Sequence, residues 1–255
     1  QALMIYENIT KEMDSFDINN VLSILDFVYS LRSKTLADEK FEEININLLL
    51  NKDELLSKYK RFLKINKQTN LMNLNELLNS TTHFSIVDKE GNIVSATSSI
   101  ESSFGSRLYT NGFFLNNQLT DFSFKKKNDS GEFIRNRAVG GKRPLSSMSP
   151  IIVFDENKEL VLTIGSPGGK AIIAYVFRVL LETLYNKIDL EKSLNNPNYL
   201  RIKGKTFLED KSLKEDLIGN AYIRNLTSGL AVIYKTKDGY LGVADRRRDG
   251  TVMGN

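Results

Sequence analysis

The spacing of apolar residues predicts that residues 1–80 are helical and rather polar. Apolar side chains recur there at intervals of three and four, as on one face of an α-helix. The two sets with this spacing are Val21, Ile24, Leu25, Val28 and Leu31, and Leu55, Leu56, Tyr59, Phe62 and Leu63. Asn19 or Asn20 is predicted to cap the first helix. Residues 65–80, with five asparagines and little periodicity, predict a linker or a weak helix.

From residue 81 the pattern changes to the alternation of apolar and polar residues that is typical of strands. Residues 81–99 predict a β-hairpin whose three-residue loop, 89–91, contains Gly91 at a position that needs a positive φ. This loop sets Thr81 opposite Ser99, and cross-strand partners have Cβ atoms about 4.5–5.5 Å apart. Two neighbouring hydroxyls at a strand end suit nucleophilic chemistry, and they equally suit an edge-strand pair that stabilises a sheet.

The rest of the chain mixes strands with one apolar helix. Residues 151–164 predict a second hairpin, and a Gly-rich turn at 165–169 leads into a helix that is apolar over 172–184. Residues 123–143 are charged and contain glycine, so we predict a mobile loop there. Helices followed by many strands and a long buried helix predict a layered α+β fold.

Charge and hydropathy argue against two kinds of partner. The net charge is only +4, from 35 basic and 31 acidic residues. The basic runs 125–127 and 246–248 are short and lack interleaved aromatic residues, so we interpret both as solvated loops and predict no nucleic-acid partner. No apolar run approaches the length of a membrane span, and no signal peptide is visible. The first residue is Gln1 rather than Met, from which we expect a processed or truncated product.

The absence of cysteine and the presence of a single histidine, His83, limit the available chemistry. They exclude disulfides, thiol nucleophiles and multi-histidine metal sites, and we predict neither a metal nor an organic cofactor. His83 could serve Thr81 or Thr82 as a base, although a lone strand histidine is more often structural. Another solution needs no histidine: a threonine made N-terminal by cleavage, whose α-amine, with a pKa of about 7.7–8.0, acts as the base.

The turn at 165–169 has two interpretations. It is not a Walker phosphate loop, because Ile164 and Ala171 occupy positions that require Gly and Ser or Thr. The N–H groups of Gly168 and Gly169 at a helix N-terminus could cradle an anion. The alternative is a tight strand-to-helix turn without a ligand.

Four motifs carry a resemblance to a known family: TTHFSIVDKEGNIVS (81–95), LNNQLTDF (115–122), GKRPLSSMSPIIV (141–153) and GSPGG (165–169). In this order they resemble the small subunit of γ-glutamyltranspeptidases, which are N-terminal-nucleophile hydrolases. ADRRRDG (244–250) resembles the closing motif of the family, with Arg246 where a proline is usual. The resemblance implies a four-layer αββα sandwich. It also implies two parts, with 1–80 as the helical C-terminal part of the large subunit and a linker, and 81–255 as the small subunit.

The resemblance further implies self-cleavage between Ser80 and Thr81. Thr81 would then attack a γ-glutamyl carbonyl, and water or an amino acid or peptide amine would take up the acyl group. Ser99 occupies the position of a hydroxyl bonded to the nucleophile, and Gly168 and Gly169 occupy the oxyanion-hole position. The implied substrates are γ-glutamyl small molecules such as glutathione.

The same resemblance assigns substrate-binding residues. Gln118 and Asp121 match the pair that binds the α-amine of the glutamyl group, and Ser146 and Ser147 match the serines that bind its α-carboxylate. Glu101 stands where many relatives have asparagine. A negative charge there would repel the α-carboxylate unless Glu101 turns away or pairs with the substrate amine.

Other departures leave alternatives open. Residues 123–141 lack the tyrosine that many relatives use as a lid, which with Glu101 would suit a poly-γ-glutamate depolymerase or a cephalosporin-acylase-like amidase. A relative that is not cleaved and serves as a binding or structural module is a further alternative. Relatives have a long large-subunit segment upstream, so we expect the missing N-terminal portion of that subunit as a partner. The family suggests a periplasmic or extracellular location, which no leader in this chain supports.

Overall fold

The protein is described by a computed structural model covering residues 1–10, 17–65 and 80–254. The chain divides into two compact units. Unit 1 comprises Gln1–Met72, Gln118–Ser146 and Tyr199–Arg224, and unit 2 comprises Asn73–Asn117, Ser147–Asn198 and Asn225–Asn255. The linker or weak helix predicted over 65–80 lies, except for its end residues, outside the described part of the chain.

Helices and strands are both present throughout the described residues, which confirms the predicted α+β class. The α-helices are α1 (Ala2–Thr10), α2 (Ile18–Thr35), α3 (Ile46–Leu49), α4 (Lys52–Ile65), α5 (Ile172–Leu180) and α6 (Leu190–Asn195). The strands are β1 (Ser80–Val87), β2 (Ile93–Glu101), β3 (Tyr109–Thr110), β4 (Phe113–Phe114), β5 (Ile151–Phe154), β6 (Leu160–Gly165), β7 (Tyr199–Ile202), β8 (Lys205–Leu208), β9 (Ala221–Ile223), β10 (Ala231–Lys235) and β11 (Tyr240–Ala244). A π-helical turn, Leu181–Tyr185, continues α5.

The helix α2 is the most buried helix of unit 1. Its predicted apolar face is confirmed, with Val21, Ile24 and Leu25 completely buried. The predicted cap is wrong, because Asp17 precedes the helix and its Oδ1 accepts the N–H of Asn19 at 2.8 Å. Asn19 and the following asparagine lie inside the first turn, where they cannot cap the helix that contains them.

The second predicted helix, α4, is confirmed with a narrower buried face. Leu55 and Tyr59 are buried, whereas the side chain of Leu63 is 51% exposed. Phe27 of α2 contacts the ring of Tyr59 edge to face, with centroids 5.4 Å apart. The apolar periodicity therefore located the helix correctly but included one position on its exposed side.

A three-stranded sheet completes unit 1. The strand β8 pairs antiparallel with β7 and parallel with β9, and α2 packs against β7. Asp26 of α2 is buried, and its Oδ1 accepts the N–H of Gly204 at 2.9 Å. The helix α2 is thus bonded to the turn between β7 and β8, which lies 178 residues further along the chain.

The segment 123–143, predicted as a mobile loop, contains only isolated β-bridges and is otherwise irregular. Ion pairs anchor it to residues 38–43 of the same unit. Arg137 Nη1 lies 2.6 Å from Glu42 Oε1, and Arg143 Nη2 lies 3.3 Å from Asp38 Oδ1. Hydrogen bonds from Arg143 lower the pKa of the Asp38 carboxyl to about 2. Mobility of this segment stays a prediction.

In unit 2 the β1–β2 hairpin lies against a four-stranded sheet of order β11-β10-β6-β5. The predicted second hairpin is confirmed as β5 and β6. Thr163 of β6 faces the hairpin, with its Oγ1 3.3 Å from Ser85 Oγ. Its neighbours Leu162 and Ile164 point to the opposite side of the sheet, where α5 contacts β6. The helix, the sheet and the hairpin therefore follow one another as three layers.

The hairpin turns its polar face towards the four-stranded sheet. His83 is buried and Ser85 is half-buried. The alternate residues of the same strand, Phe84 and Ile86, are 48% and 50% exposed. Val94 on the partner strand, directly opposite Ile86, is also exposed. Apart from one aliphatic pair next to the loop, the side chains that this hairpin turns towards the sheet are thus hydroxyls and an imidazole.

Candidate active site

Thr81 and Ser99 meet as the hairpin register predicted. They are cross-strand partners, and Thr81 Oγ1 lies 2.9 Å from Ser99 Oγ. The register shifts between Ser80 and Thr81, so that Ser80 stands opposite Glu101. Bulges of this kind bend a strand and re-aim its side chains. The irregularity therefore falls on the peptide bond that is predicted to be cleaved.

Glu101 contributes its backbone to this pair. Its φ is 71°, a conformation that side-chain-bearing residues rarely adopt. Its N–H donates to Ser99 Oγ at 2.9 Å. This bond fixes the position of the Ser99 hydroxyl, which remains able to donate to Thr81 Oγ1 or to accept from it.

The side chain of Glu101 is held by its own unit. Asn117 Nδ2 donates to Glu101 Oε2 at 3.1 Å, and the hydroxyl of Ser102 donates to the same oxygen. Asn117 Oδ1 in turn accepts the N–H of Ser102 at 2.9 Å. Sequence reasoning missed the role of Asn117, although it lies inside the motif 115–122. Asn117 contacts Glu101 only because residues 102–116 turn back towards the end of β2, which the local sequence does not indicate.

Gly168 and Gly169 are buried and both have positive φ, 137° and 56°. A Cβ at residue 168 would lie 2.5 Å from Cε2 of Tyr175. The turn passes through a 3-10 segment, Gly169–Ala171, into α5. The tight-turn interpretation therefore has a direct structural basis. The anion-cradle interpretation stays a prediction, and it is compatible with the position of both N–H groups at a helix start.

His83 lies on β1 two residues after Thr81, and its ring contacts neighbouring strands. Its Nδ1 is 2.8 Å from Thr97 Oγ1, and its Nε2 is 3.2 Å from Ser85 Oγ. A Cβ on Gly165 would lie 2.2 Å from the imidazole Cε1, so the ring packs directly on the strand that precedes the turn. Burial lowers the pKa of His83 to about 4. These contacts favour the structural interpretation of this histidine.

The basic run 246–248 is not a solvated loop, contrary to the prediction. Arg247 pairs with Asp245 at 3.1 Å and donates to the Leu194 carbonyl at 2.8 Å. Arg248 Nη2 donates to the Thr227 carbonyl at 3.2 Å, and its Nη1 lies 3.5 Å from the Thr81 carbonyl oxygen. Only Arg246 is exposed. Local sequence could not show this, because the bonded carbonyls are far away along the chain.

The residues predicted to bind the substrate amine belong to unit 1. Gln118 and Asp121 share a 3-10 turn, in which Gln118 Nε2 donates to Asp121 Oδ2 at 2.7 Å. Arg32 of α2, which sequence reasoning missed, is close enough to Asp121 for their charges to interact. Burial lowers the pKa of the Arg32 guanidinium, and electrostatic interactions with Tyr29 and Asp121 oppose this effect.

The two serines predicted to bind the substrate carboxylate lie where the chain passes from one unit to the other. Ser146 belongs to unit 1, where its carbonyl accepts a hydrogen bond from Arg32 Nη2 at 2.7 Å. Ser147 belongs to unit 2, where its carbonyl accepts the hydroxyl of Ser149 at 3.0 Å. Both contacts use backbone atoms, so the binding roles of the two side chains stay predictions.

Clusters of metal ligands and membrane-spanning helices are absent from the described ranges, 1–10, 17–65 and 80–254. These ranges contain no group of three or more His, Cys, Asp or Glu residues arranged to hold a metal ion. In the same ranges, none of the helices combines the length and the hydropathy required to cross a bilayer.

Comparison with known proteins gives concordant matches. The whole chain, residues 1–255, matches the family model described as Gamma-glutamyltranspeptidase. The glutathione hydrolase proenzyme of Bacillus subtilis (strain 168) is 33% identical over 175 residues, which are 63% of this chain and 28% of that protein. A Helicobacter pylori gamma-glutamyltranspeptidase mutant superposes with a TM-score of 0.58 and 32% identity, covering 66% of this chain and 100% of that chain.

A more distant structure covers more of the chain. The cephalosporin acylase of Bacillus halodurans superposes with a TM-score of 0.74 over 99% of this chain and 48% of that chain. Its identity is 18%, so this likeness concerns the fold alone.

The chain spans 28% of the length of its Bacillus subtilis relative. Along this chain the four motifs of the resemblance and the closing motif stand in order, and the hydroxyl pair of the first motif is formed at the start of β1. A family match over every residue accompanies this geometry. The chain therefore belongs to the gamma-glutamyltranspeptidase family of N-terminal-nucleophile hydrolases.

Proposed function

We propose that this chain carries the catalytic part of a γ-glutamyltranspeptidase or glutathione hydrolase that cleaves itself before Thr81. The observation that carries the proposal is the 2.9 Å contact between Thr81 Oγ1 and Ser99 Oγ, placed at a bulge at the start of β1. Family membership supplies the reaction class, and this contact supplies the nucleophile.

The first step is cleavage of the chain. Thr81 Oγ1 attacks the carbonyl carbon of Ser80, the C–N bond breaks, and an ester joins the two residues through the side-chain oxygen. Water then hydrolyses this ester, leaving a carboxylate on Ser80 and an α-amine on Thr81. Ser99 supports the attack, because its hydroxyl is fixed by the N–H of Glu101 and faces Thr81 Oγ1.

In the second step the freed amine of Thr81 serves as the base for its own hydroxyl. Thr81 Oγ1 attacks the γ-glutamyl carbonyl, and the departing amine takes the proton. The N–H groups of Gly168 and Gly169 are assigned to the oxyanion, a role in which one donor is typically worth about 10²–10³ in rate. Water or an amino acid or peptide amine then attacks the acyl-enzyme and releases Thr81.

Recognition of the glutamyl group is assigned to two sets of side chains. Gln118 and Asp121 bind the α-amine, to which an ionised carboxylate offers a charge-assisted hydrogen bond. Ser146 and Ser147 bind the α-carboxylate. Glu101 is assigned to the amine, because its charge would repel the carboxylate. The bonds from Asn117 and Ser102 support this assignment, since they hold the Glu101 carboxylate in one place.

The proposal includes the finer architecture, a four-layer αββα sandwich, with residues 1–80 from the large subunit and residues 81–255 as the small subunit. An upstream portion of the large subunit would complete it. The exposed apolar face formed by Phe84, Ile86 and Val94 supports this completion, because apolar faces of sheets are normally covered. The share of the Bacillus subtilis relative that this chain spans, 28%, also supports it.

The decisive experiment combines N-terminal sequencing with turnover of γ-glutamyl-p-nitroanilide. We expect fragments of 80 and 175 residues, the second beginning at Thr81, from the 255-residue sequence. Thr81→Ala should abolish both cleavage and release of p-nitroaniline. Thr82→Ala is the matched control, because its side chain is the exposed neighbour on the same strand. Active protein with an intact bond between Ser80 and Thr81 would refute the proposal and favour a binding or structural relative.

A second candidate keeps the nucleophile and changes the substrate to a polymer of γ-linked glutamate or a cephalosporin side-chain amide. It is favoured by the absence of tyrosine from 123–141, where a lid residue is expected, and by the fold shared with a cephalosporin acylase. Parallel assays with a γ-glutamyl dipeptide, a γ-glutamate polymer and glutaryl-7-aminocephalosporanic acid distinguish these substrates. Turnover of the dipeptide alone would eliminate this candidate.

A further inference from the structure

Arg248 joins two parts of unit 2 that sequence reasoning did not connect. Its Nη2 donates to the carbonyl oxygen of Thr227 at 3.2 Å. Its Nη1 lies 3.5 Å from the carbonyl oxygen of Thr81, the residue that carries the proposed nucleophile. The second contact is at the long limit of a hydrogen bond, so its main consequence is the placement of a fixed positive charge beside Thr81.

The segment that receives Arg248 also holds the turn that carries the oxyanion glycines. The N–H of Gly229 donates to Ser166 Oγ at 3.1 Å, and that hydroxyl donates to the Pro167 carbonyl at 2.6 Å. A Cβ on Gly229 would lie 2.7 Å from Pro167 Cγ and 2.8 Å from Arg248 Cδ. The stem of Arg248 and the proline ring therefore occupy together the space that a side chain on Gly229 would need.

The backbone that presents Arg248 is itself fixed. Asp245 is buried, and it accepts hydrogen bonds from the hydroxyl of Ser228 and from the N–H and guanidinium of Arg247. Arg247 also donates to the carbonyls of Leu194 and Asn196, both at 2.8 Å. The side chain of Arg248 thus approaches Thr81 from a rigid base.

We propose that Arg248 is a positioning residue for the Thr81 nucleophile. It fixes the Thr81 carbonyl relative to the turn at 165–169, and its charge disfavours protonation of the α-amine that cleavage frees. The inference rests on the proposed function, because the amine exists only after cleavage before Thr81.

The effect of Arg248 on the protonation of the Thr81 amine follows from the distance between the two groups. The nitrogen and carbonyl oxygen of one residue are about 3 Å apart, so the guanidinium of Arg248 lies roughly 4–7 Å from the Thr81 nitrogen. A like charge within about 4–6 Å disfavours the charged form of an ionisable group. An amine that acts as a general base must be unprotonated, so the charge of Arg248 extends activity towards lower pH.

Other ionisable groups on the elements packed around β1 are few among the described residues. His83 on β1 is neutral near pH 7, because burial lowers its pKa to about 4. Glu101 ends β2, and its negative charge opposes that of Arg248. The strand β6 has no ionisable side chain. Tyr234 and Lys235 of β10 lie at the opposite end from its pairing with Gly165.

Three further charged groups, Asp245, Arg247 and Lys170, lie on the loops beside this strand end. Asp245 is paired with Arg247 at 3.1 Å, so their charges largely offset each other. Lys170 follows the glycine turn and is half-buried. Of the cations in these segments, Arg248 is the one shown in contact with an atom of Thr81.

The test measures kcat/KM for γ-glutamyl-p-nitroanilide against pH in the cleaved, complete protein. Arg248→Gln removes the charge, Arg248→Lys keeps it, and Arg246→Gln makes the same charge change at the exposed neighbour. We expect Arg248→Gln to move the acid limb of the profile to higher pH by about 0.5–1 unit. Arg248→Lys and Arg246→Gln should keep the acid limb of the unchanged protein.

A second measurement does not need activity. The rate at which an amine-reactive reagent labels the N-terminus of Thr81, followed by peptide mass spectrometry across pH, should show the same shift in Arg248→Gln. An unshifted labelling profile would overturn the inference even if activity fell. If the unsubstituted protein lacks a Thr81 N-terminus, the proposed function itself fails. If that N-terminus is present and the Arg248 profiles are unshifted, only this inference fails.

Discussion

At the scale of single residues, hydrogen-bonding contacts to Glu101 and Thr81 indicate the role of Ser99. It accepts the N–H of Glu101 at 2.9 Å and faces Thr81 Oγ1 at 2.9 Å. Because the N–H of Glu101 holds this hydroxyl in place, it can orient the side chain of Thr81, the proposed nucleophile, without itself reacting. The side chain of the adjacent Ser98 is exposed on the other face of the strand.

We therefore expect Ser99→Ala to lower kcat about 10–100-fold with little change in KM, because it removes a contact that matters during attack. Ser99→Thr should restore most of kcat, since it keeps a hydroxyl at the same position. Ser98→Ala is the matched control and should behave as the unsubstituted protein. Steady-state kinetics on the cleaved protein provide the measurement. An unchanged kcat in Ser99→Ala would remove Ser99 from the site.

Gly168 supports a second prediction at this scale. Alanine there would place Cβ 2.5 Å from the ring of Tyr175, at a φ of 137°. The turn must shift, and the N–H groups that follow it shift as well, so we expect kcat to fall about 10²–10³-fold. Gly91→Ala separates backbone strain from collision, because Gly91 has a φ of 84° with open space around it. Equal kinetic losses in both variants would contradict the assignment of residue 168 to the site.

Sequence alone could predict the contact between Thr81 and Ser99, because a three-residue loop fixes the register of every pair in the hairpin. It could not predict the positive φ of Glu101 or the bond from Asn117, which depend on how the following loop returns to β2. Arg248 was misassigned to a solvated loop for the same reason. Its contact with Thr81 joins residues 167 positions apart, and no local pattern encodes such a distance.

At the scale of elements, the interface between the β1–β2 hairpin and the four-stranded sheet is polar. His83 contacts the hydroxyls of Thr97 and Ser85, and Ser85 reaches Thr163 on β6 at 3.3 Å. The alternation of residue types located the hairpin and its two faces. It could not show that the polar face is the inner one, because that depends on which layer covers the other face.

This interface makes stability depend on pH. Burial lowers the pKa of His83 from 6.5 to about 4, so between these values the unfolded chain binds a proton that the folded chain does not. Stability from the neutral imidazole is therefore complete above pH 6.5 and is lost as the pH falls towards 4. Between about pH 7 and about pH 4.5 the loss should be about 2 kcal/mol.

The comparison that isolates this effect uses His83→Gln, which retains hydrogen-bonding groups and does not titrate. Urea unfolding of both proteins at about pH 7 and about pH 4.5 gives the difference in the free energy of unfolding. We expect the unsubstituted protein to lose about 2 kcal/mol more than His83→Gln over this range. Parallel losses in the two proteins would show that His83 is accessible to protons in the folded state.

At the scale of the whole molecule, the proposed cleavage site does not coincide with a boundary of packing. Unit 1 contains Gln1–Met72 together with two segments from beyond residue 81. Asp26 of α2 accepts the N–H of Gly204, and Glu42 pairs with Arg137 at 2.6 Å. A break after Ser80 would thus divide the chain but leave this unit's contacts in place.

Our final prediction is that the two fragments remain associated after cleavage. The helix α2 packs against β7 of the second fragment as well as against α1 and α4 of its own. Four of its side chains are completely buried, each worth about 1.5–3 kcal/mol, and the part of this energy that comes from β7 holds the fragments together. The four are Val21, Leu22, Ile24 and Leu25. Gel filtration without denaturant should give one peak containing both fragments, and a denaturing gel should give two bands.

The strength of this association can be changed at one position. Leu25→Ala should lower the urea concentration at which the fragments separate, because truncating a buried leucine costs about 2–5 kcal/mol. Lys34→Ala, an exposed position on the same helix, should leave that concentration unchanged. If the fragments separated without denaturant, α2 could not be held by β7 as described. Residues 1–80 would then have to be placed in the enzyme by a different contact, so this elution profile tests the packing of unit 1 independently of catalysis.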